Sequence, residues 1–461
     1  MALADSGAGA TLTDQLFQAI RRLIADGVWR SGERIPGSRV LASDAGVSRT
    51  TVLTTIEMLV AEGLLETRGT AGTFVVNAPG SAKAPASQPR SPLITPHLAP
   101  FSVGAPGLDL FPLHVWRRLQ TRRWSTMPLA ALDDGDEAGL PELRAATAAH
   151  VGASRGIKCH AHQVVVVSSA QSAIHLATLV LAERGAQVWT EEPGYFGTPS
   201  AVRAAGAQPI AVPVDDEGLS VEQGIAMAPA AKVAVITPAC QFPLGVPMSP
   251  ARRQLLLDWA AKQNAWIIED DYDGEFPSGR RAPLPLAAMQ GADRVVHVNT
   301  FSKTLFPALR LAYLIVPDAL VDRFLAARRG VDRNATVPNQ MVLADFLSTG
   351  QFAAHLRRCR EAYAERRTTM LDELQREFAG VLRAPEHLPG LHVCATYDKY
   401  VDDGELAALA ARAGIVVEPL KRFFAGTPTQ RGLLMGYAGF TPAVIRTQLR
   451  ALARAIGPAL R

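Results

Sequence analysis

No lysine occurs in the first 76 residues, where seven arginines stand against eight acids, so this segment lacks the net basic charge usual in a nucleic-acid binder. Cysteine is scarce: Cys159, Cys240, Cys359 and Cys394 are scattered, with no C-x-x-C pair and no histidine at metal spacing. Neither a disulfide framework nor a metal site is suggested, and reduced thiols in a cytosol fit best. No uninterrupted apolar run reaches bilayer length, and the N-terminus "MALADSGAGATLTDQLFQ" has no basic region leading into an apolar one. A cytoplasmic protein without a membrane span is expected. The net charge of +4 is too small for this length to argue for nucleic acid.

What is present is a composition of 48% hydrophobic and 20% charged residues, that of a well-packed globular protein, in a 461-residue chain long enough for two or three domains. Residues 77–96, "NAPGSAKAPASQPRSPLITP", repeat Pro, Ala and Ser and read as a semi-extended linker. They separate a head, residues 1–76, from a body, residues 97–461.

In the head, Leu16, Ile20, Leu23 and Ile24 share a helix face that Gly27 ends. Ala42, Gly46 and Val52 occupy the small, turn and β-branched positions that let two helices of a helix-turn-helix cross closely. Ser48 is a good N-cap, and Val52, Ile56 and Leu59 pack inward, which turns Arg49, Thr50 and Thr54 outward at the helix start. A plain three-helix bundle would give the same pattern. The glycine-tipped strand pair "LLETRGTAGTFVV" favours a winged helix instead. Arg34, Arg39, Arg49 and Arg68 are the candidates for a positive DNA-facing side, Arg39 and Arg49 as donors to phosphate or guanine, with Ser48, Gly72 and Thr73 completing the set. "ADGVWRSGERIPGSRVLASDAGVSRTTVLTTIEMLVAEGLLETRGTAGTFVV" resembles the winged helix-turn-helix of GntR-type bacterial repressors across the whole head.

The body alternates Val/Ile-rich runs with helical stretches, which predicts a mostly parallel α/β sheet covered on both faces. Polar residues at the strand ends line the ligand crevice of such sheets. Ser169, Ala170, Gln171, Gln241, Asp270, Tyr272, Thr300, Ser302 and Lys303 all stand at such ends. A lysine to form an imine, an acid to keep a pyridine nitrogen protonated and a phenol beside a ring hydroxyl are what pyridoxal 5'-phosphate requires. Lys303, Asp270 and Tyr272 supply them; the helix start in "SSAQSAI" and Arg310 suit the phosphate, and Tyr195 could stack on the ring. Singly, each has a duller explanation as a cap, a turn or a surface charge. Their order along the chain makes them mutually supporting.

That order resembles the fold-type I aminotransferases, with a small α+β subdomain after the sheet. "EDDYDGEF" and "TFSKTLFPALRLAYL" are similar to the MocR (GabR-like) regulators, which join such a body to a GntR-type head. The resemblance implies that Lys303 carries the cofactor as an internal aldimine and that Asp270, Tyr272 and Arg310 serve its nitrogen, ring oxygen and phosphate. It also implies a homodimer, each head near its partner's body, on double-stranded operator DNA, sensing a small-molecule effector that is pyridoxal phosphate itself or an amine or amino compound. The chain departs from the family at Leu434 and Gly197, where arginines that grip a substrate carboxylate are usual, and at Asp134, where a tyrosine is usual. With Arg431 as a candidate substitute, these departures predict an effector that is pyridoxal phosphate itself or a ligand other than a simple α-amino acid. An active aminotransferase with an appended head is the alternative. The complete head argues for a regulator, not a metabolic enzyme, with at most a residual half-reaction.

Overall fold

The computed structural model describes residues 11–76, 99–277, 283–385 and 389–460. The expected linker, 77–96, lies outside them. By contacts the chain divides into two compact units, Met1–Thr95 and Pro96–Arg461.

The first unit has helices Leu12–Ala25, Ser38–Ala45 and Arg49–Ala61, followed by strands Leu65–Thr67 and Thr73–Val75 paired antiparallel. Thr11 opens the first helix with a reciprocal capping box to Asp14. Gly46, at φ 64°, ends the second helix in the left-handed conformation that lets the chain turn into the third. Ser48 caps that third helix by accepting from the Thr51 amide at 3.1 Å. Leu16, Phe17, Ile20, Leu41, Val52, Ile56 and Leu59 form the core with Leu65 and Val75 of the hairpin. The hairpin is therefore packed onto the helices as a wing.

The second unit is built on an eight-stranded sheet. Its order is Val164–Val167, Ala312–Ile315, Val295–Thr300, Trp266–Asp270, Val233–Ile236, Gln187–Glu192, Gln208–Asp215 and Gly218–Leu219. The strands from Val295–Thr300 to Gln208–Asp215 run parallel. Ala312–Ile315 is antiparallel to both its neighbours, and Gly218–Leu219 to its one. Alternate residues face opposite cores: Val165, Val167 and Ile268 pack with Ile174 and Leu176, whereas Ala234, Ile236 and Ile267 pack with Leu256 and Trp259. Both faces are thus buried, which is why these strands are apolar throughout. A three-stranded antiparallel sheet, His392–Tyr397, Arg431–Gly436 and Glu418–Pro419, forms the smaller α+β part with helices Asp403–Arg412 and Pro442–Leu460.

Candidate functional site

The parallel strands end together, and their carboxyl ends carry the polar residues. Asp270 is the last residue of Trp266–Asp270, only 7% exposed, and its Oδ1 has no hydrogen-bond partner. Burial, reinforced by Asp271 and Glu191, pushes its carboxyl up to about 7. Asp270 and Glu191 line one small cavity with Gly194, Tyr195, Thr198 and Thr237. The phenol of Tyr195 is pushed up by burial and by Asp270 and pulled down by Arg310, so both charges act at this ring. Arg310 is exposed, and its left-handed backbone, φ 54°, is uncommon outside glycine.

Lys303 lies in the short helix Phe301–Thr304, directly after the strand Val295–Thr300. Its Nζ donates to the Gly104 carbonyl at 3.0 Å. Burial lowers its pKa, while Asp273 and then Asp270 oppose that shift. Tyr272 donates from its hydroxyl to Cys240 Sγ at 3.6 Å.

Several predicted residues prove to organise the backbone. Ser169 caps the helix Ala170–Leu181 by accepting from the Ser172 amide at 3.1 Å. Ala170 and Gln171 form the first turn of that helix, whose amides have no earlier turn to donate to. Thr300 accepts from the Ser302 amide at 3.1 Å and opens the lysine's helix. Gln241 donates to Pro193 O at 2.8 Å and Phe242 O at 2.6 Å and accepts from the Leu244 amide at 3.1 Å, so its amide ties two loops together.

The acidic run 269–275 is resolved residue by residue. Glu269 pairs with His297 at 3.1 Å and accepts from the Leu286 and Ala287 amides. Asp271 is held by Arg155 through bonds of 2.9 and 3.0 Å. Glu275 meets His150 and Arg360, each at 2.7 Å. Asp270 and Asp273 remain directed at the lysine's surroundings. Asp273 is 2% exposed, neither carboxyl oxygen has a hydrogen-bond partner, and burial pushes it up to about 7 against the pull of Lys303. Sequence reasoning missed Asp273, Glu191, Cys240 and Gly104. Glu191, at the carboxyl end of the strand Gln187–Glu192, could have been found by the rule on polar strand ends, whereas Asp273 lies in the turn beyond Asp270, and Cys240 and Gly104 lie in loops.

In the head, Arg34, Arg39, Arg49, Thr50, Thr54 and Arg68 are all exposed. Arg49 Nε donates to Ser38 Oγ at 3.3 Å, linking the starts of the second and third helices. Arg34 lies against the wing, where Gly72, φ 110°, leaves room for its guanidinium; a Cβ at Gly72 would stand 2.5 Å from Arg34 Nε. Arg68 pairs with Glu66 and covers the Phe74 ring, and Thr73 meets Thr67 across the hairpin at 3.3 Å. The head and body residues belong to separate units.

Residues 12–75 match the family of bacterial regulatory proteins of the gntR type, and residues 110–452 match the class I and II aminotransferases. The chain is 37% identical to the probable rhizopine catabolism regulatory protein MocR of Rhizobium meliloti, over 98% of this chain and 95% of that protein. It belongs to the MocR-type regulators. TauR of Rhodobacter capsulatus, an HTH-type transcriptional regulator, is 31% identical over 98% of each chain. The HTH-type pyridoxine biosynthesis regulator PdxR of Corynebacterium glutamicum is 29% identical over 97% of this chain and 96% of its own. Among solved structures, the α-aminoadipate aminotransferase LysN of Thermus thermophilus, complexed with N-(5'-phosphopyridoxyl)-L-leucine, superposes with a TM-score of 0.72. It shares 26% identity and covers 78% of this chain and 92% of its own. Similarity to regulators thus runs through head and body alike, so a GntR-type transcriptional regulator is better supported than an enzyme with an accidental head. Among the described residues, no helix is long and apolar enough to cross a membrane.

Proposed function

We propose that this MocR-type regulator acts in the cytoplasm as a homodimer on double-stranded operator DNA, each head near its partner's body, and that its body holds pyridoxal 5'-phosphate to sense a small-molecule effector. The effector is pyridoxal phosphate itself or an amine or amino compound. The observation that carries the cofactor reading is the buried Asp270 carboxyl, whose Oδ1 has no hydrogen-bond partner, on the strand next to the one that leads into Lys303. A free buried acid of this kind fits a ring nitrogen that can carry a proton.

When bound, the cofactor supplies an aldehyde for a lysine amine and a pyridine ring that withdraws electrons. Lys303 would hold the aldehyde carbon, its lowered pKa raising the fraction of free amine. Asp270 would hold the proton on the ring nitrogen, Tyr272 would donate to the ring oxygen, and Tyr195 would flank the ring. The amides of Ala170 and Gln171, with Arg310, would hold the phosphate, and Ser169, Thr300, Ser302 and Gln241 fix the loops that present these groups. In the head, Arg49, Thr50 and Thr54 would face base edges, with Ser48 at the same helix start. Arg34, Arg39, Arg68, Gly72 and Thr73 would meet the backbone and the adjoining groove.

The test is made on the full-length protein. Incubation with pyridoxal phosphate should give a visible absorption band, and borohydride should fix the label on Lys303; Lys303→Ala should lose both. A mobility shift across the DNA flanking its own gene should show a salt-resistant complex. Label on a different lysine would refute the cofactor assignment, and absence of any such complex would return the enzyme reading.

A further inference from the structure

Resting on that sensor reading, we propose that the ligand admitted beside Lys303 is a primary amine without a carboxylate group. Two sides of the site point to this independently.

On one side stand acids. Asp270 Oδ1 and both carboxyl oxygens of Asp273 are buried without hydrogen-bond partners, and both residues act on Lys303. Glu191 lines the same cavity as Asp270, with its carboxylate held by the Thr237 amide and hydroxyl at 3.0 and 2.5 Å. Arg155 is committed to Asp271, Arg360 to Glu275 and Arg366 to Asp109. Arg310 is assigned to the phosphate. With Asp270 assigned to the ring nitrogen, Asp273 and Glu191 remain: a ligand carboxylate would keep these buried acids protonated and find no cation to pair with, whereas an ammonium would pair with them as they ionise.

On the other side stands a neutral wall. Phe242 packs against Tyr195 at 5.8 Å, Tyr272 at 6.1 Å, and His392 and Phe423 at 5.2 Å each, centroid to centroid. Leu434, fully buried in the strand Arg431–Gly436, packs in a cluster with Leu420 and Phe423, against which Phe242 lies. His392 offers no charge, because burial lowers its pKa to about 4. At Gly197 a Cβ would stand 2.3 Å from the Tyr195 ring, so no cationic side chain fits there while that ring keeps its place. Aromatic faces and carboxylates together favour a cation and offer a carboxylate no partner.

The test uses full-length protein loaded with pyridoxal phosphate and titrated with matched pairs: tyramine and tyrosine, putrescine and ornithine, ethanolamine and serine. The visible band and DNA mobility are followed together. In at least one pair the amine should act at a concentration about tenfold or more below that of its α-carboxylated partner. Leu434→Arg should narrow that ratio by providing a carboxylate partner. Asp273→Asn, which keeps the volume, should narrow it by removing one acid, and it serves where the buried arginine prevents folding. Amino acids acting at equal or lower concentration in every pair, or no amine acting at all while pyridoxal phosphate alone alters DNA binding, would overturn the inference and leave the sensor reading standing. Failure to form any band would remove both.

Discussion

Lys303 Nζ donates to the carbonyl oxygen of Gly104, a residue 199 positions earlier, at 3.0 Å. Gly104 has φ +75°, and a Cβ built on it would stand 2.4 Å from that same nitrogen. The glycine therefore serves both the backbone, which needs a left-handed residue, and the lysine, which needs the space. Lys303 is held by a segment before the sheet begins, far from its own motif.

Gly104→Ala should leave the fold intact and impair cofactor uptake. The strained backbone contributes about 1 kcal/mol or more of destabilisation, while the methyl displaces the lysine's nitrogen. Absorption titration with pyridoxal phosphate should show weaker loading, and circular dichroism should be unchanged. Loading equal to that of the unmodified protein would show that Gly104 does not position Lys303.

The heavily patterned parts of the chain were legible. The burial of Val164 to Val167 on both faces of the sheet, the inward row Val52, Ile56 and Leu59, and the turn at Gly46 all follow from pattern and residue type. The central acids were not. Which of five acids in 269–275 meets a histidine, an arginine or nothing depends on His297, Arg155 and His150, each brought in by a distant element. Gly104 and Cys240 are visible only once loops fold over the strand ends. The polar side of the head was legible as a face, but not the bond from Arg49 to Ser38, because period alone does not fix a long side chain.

Arg155→Ala should be among the more damaging single substitutions in the body. Arg155 and Asp271 are both buried, 2.8 Å apart at their closest, and Gly274 lies so near that a Cβ there would stand 2.2 Å from Asp271 Oδ1. Removing the arginine leaves the carboxylate buried without its partner, a loss of about 3–5 kcal/mol. The body's unfolding transition in urea should move to lower concentration. A shift under about 1 kcal/mol would mean that water or another cation replaces Arg155.

Arg49→Ala should weaken specific DNA binding by about 1–3 kcal/mol if the guanidinium reads a base edge, and should relax the preference at one base pair. If it meets only phosphate, binding should fall uniformly across sequences and the salt dependence should become shallower by about one ion. Loss of the Ser38 contact is common to both outcomes, so Ser38→Ala is the control for altered helix placement. Affinity measured at several salt concentrations on operator and non-operator DNA separates the two. Unchanged affinity and salt slope would remove Arg49 from the interface.

Asp273 ties stability to pH in a direction that can be worked out. Burial is the main reason its carboxyl rises from the ordinary 3.8 to about 7, with Lys303 pulling it down and Asp271 pushing it up. Between pH 4 and pH 7 the folded protein therefore holds a proton that the unfolded chain has released. The folded state binds more protons across that window, so this residue's contribution is fully present below about pH 4 and is lost as pH rises through about 7. Asp270 and Glu191, also raised to about 7, act in the same direction, so the slope should shrink, not vanish, when Asp273 alone is replaced. For the cofactor-free protein, Asp273→Asn and the unmodified chain should have similar melting temperatures near pH 4, and the variant should become relatively more stable toward pH 7. Taking the difference between the two proteins cancels the groups they share, including Glu269 and Glu275, whose pKa values are lowered and whose effect has the opposite sign. A difference that stays constant from pH 4 to pH 7 would show that Asp273 is ionised throughout, stabilised by Lys303 more strongly than burial opposes it.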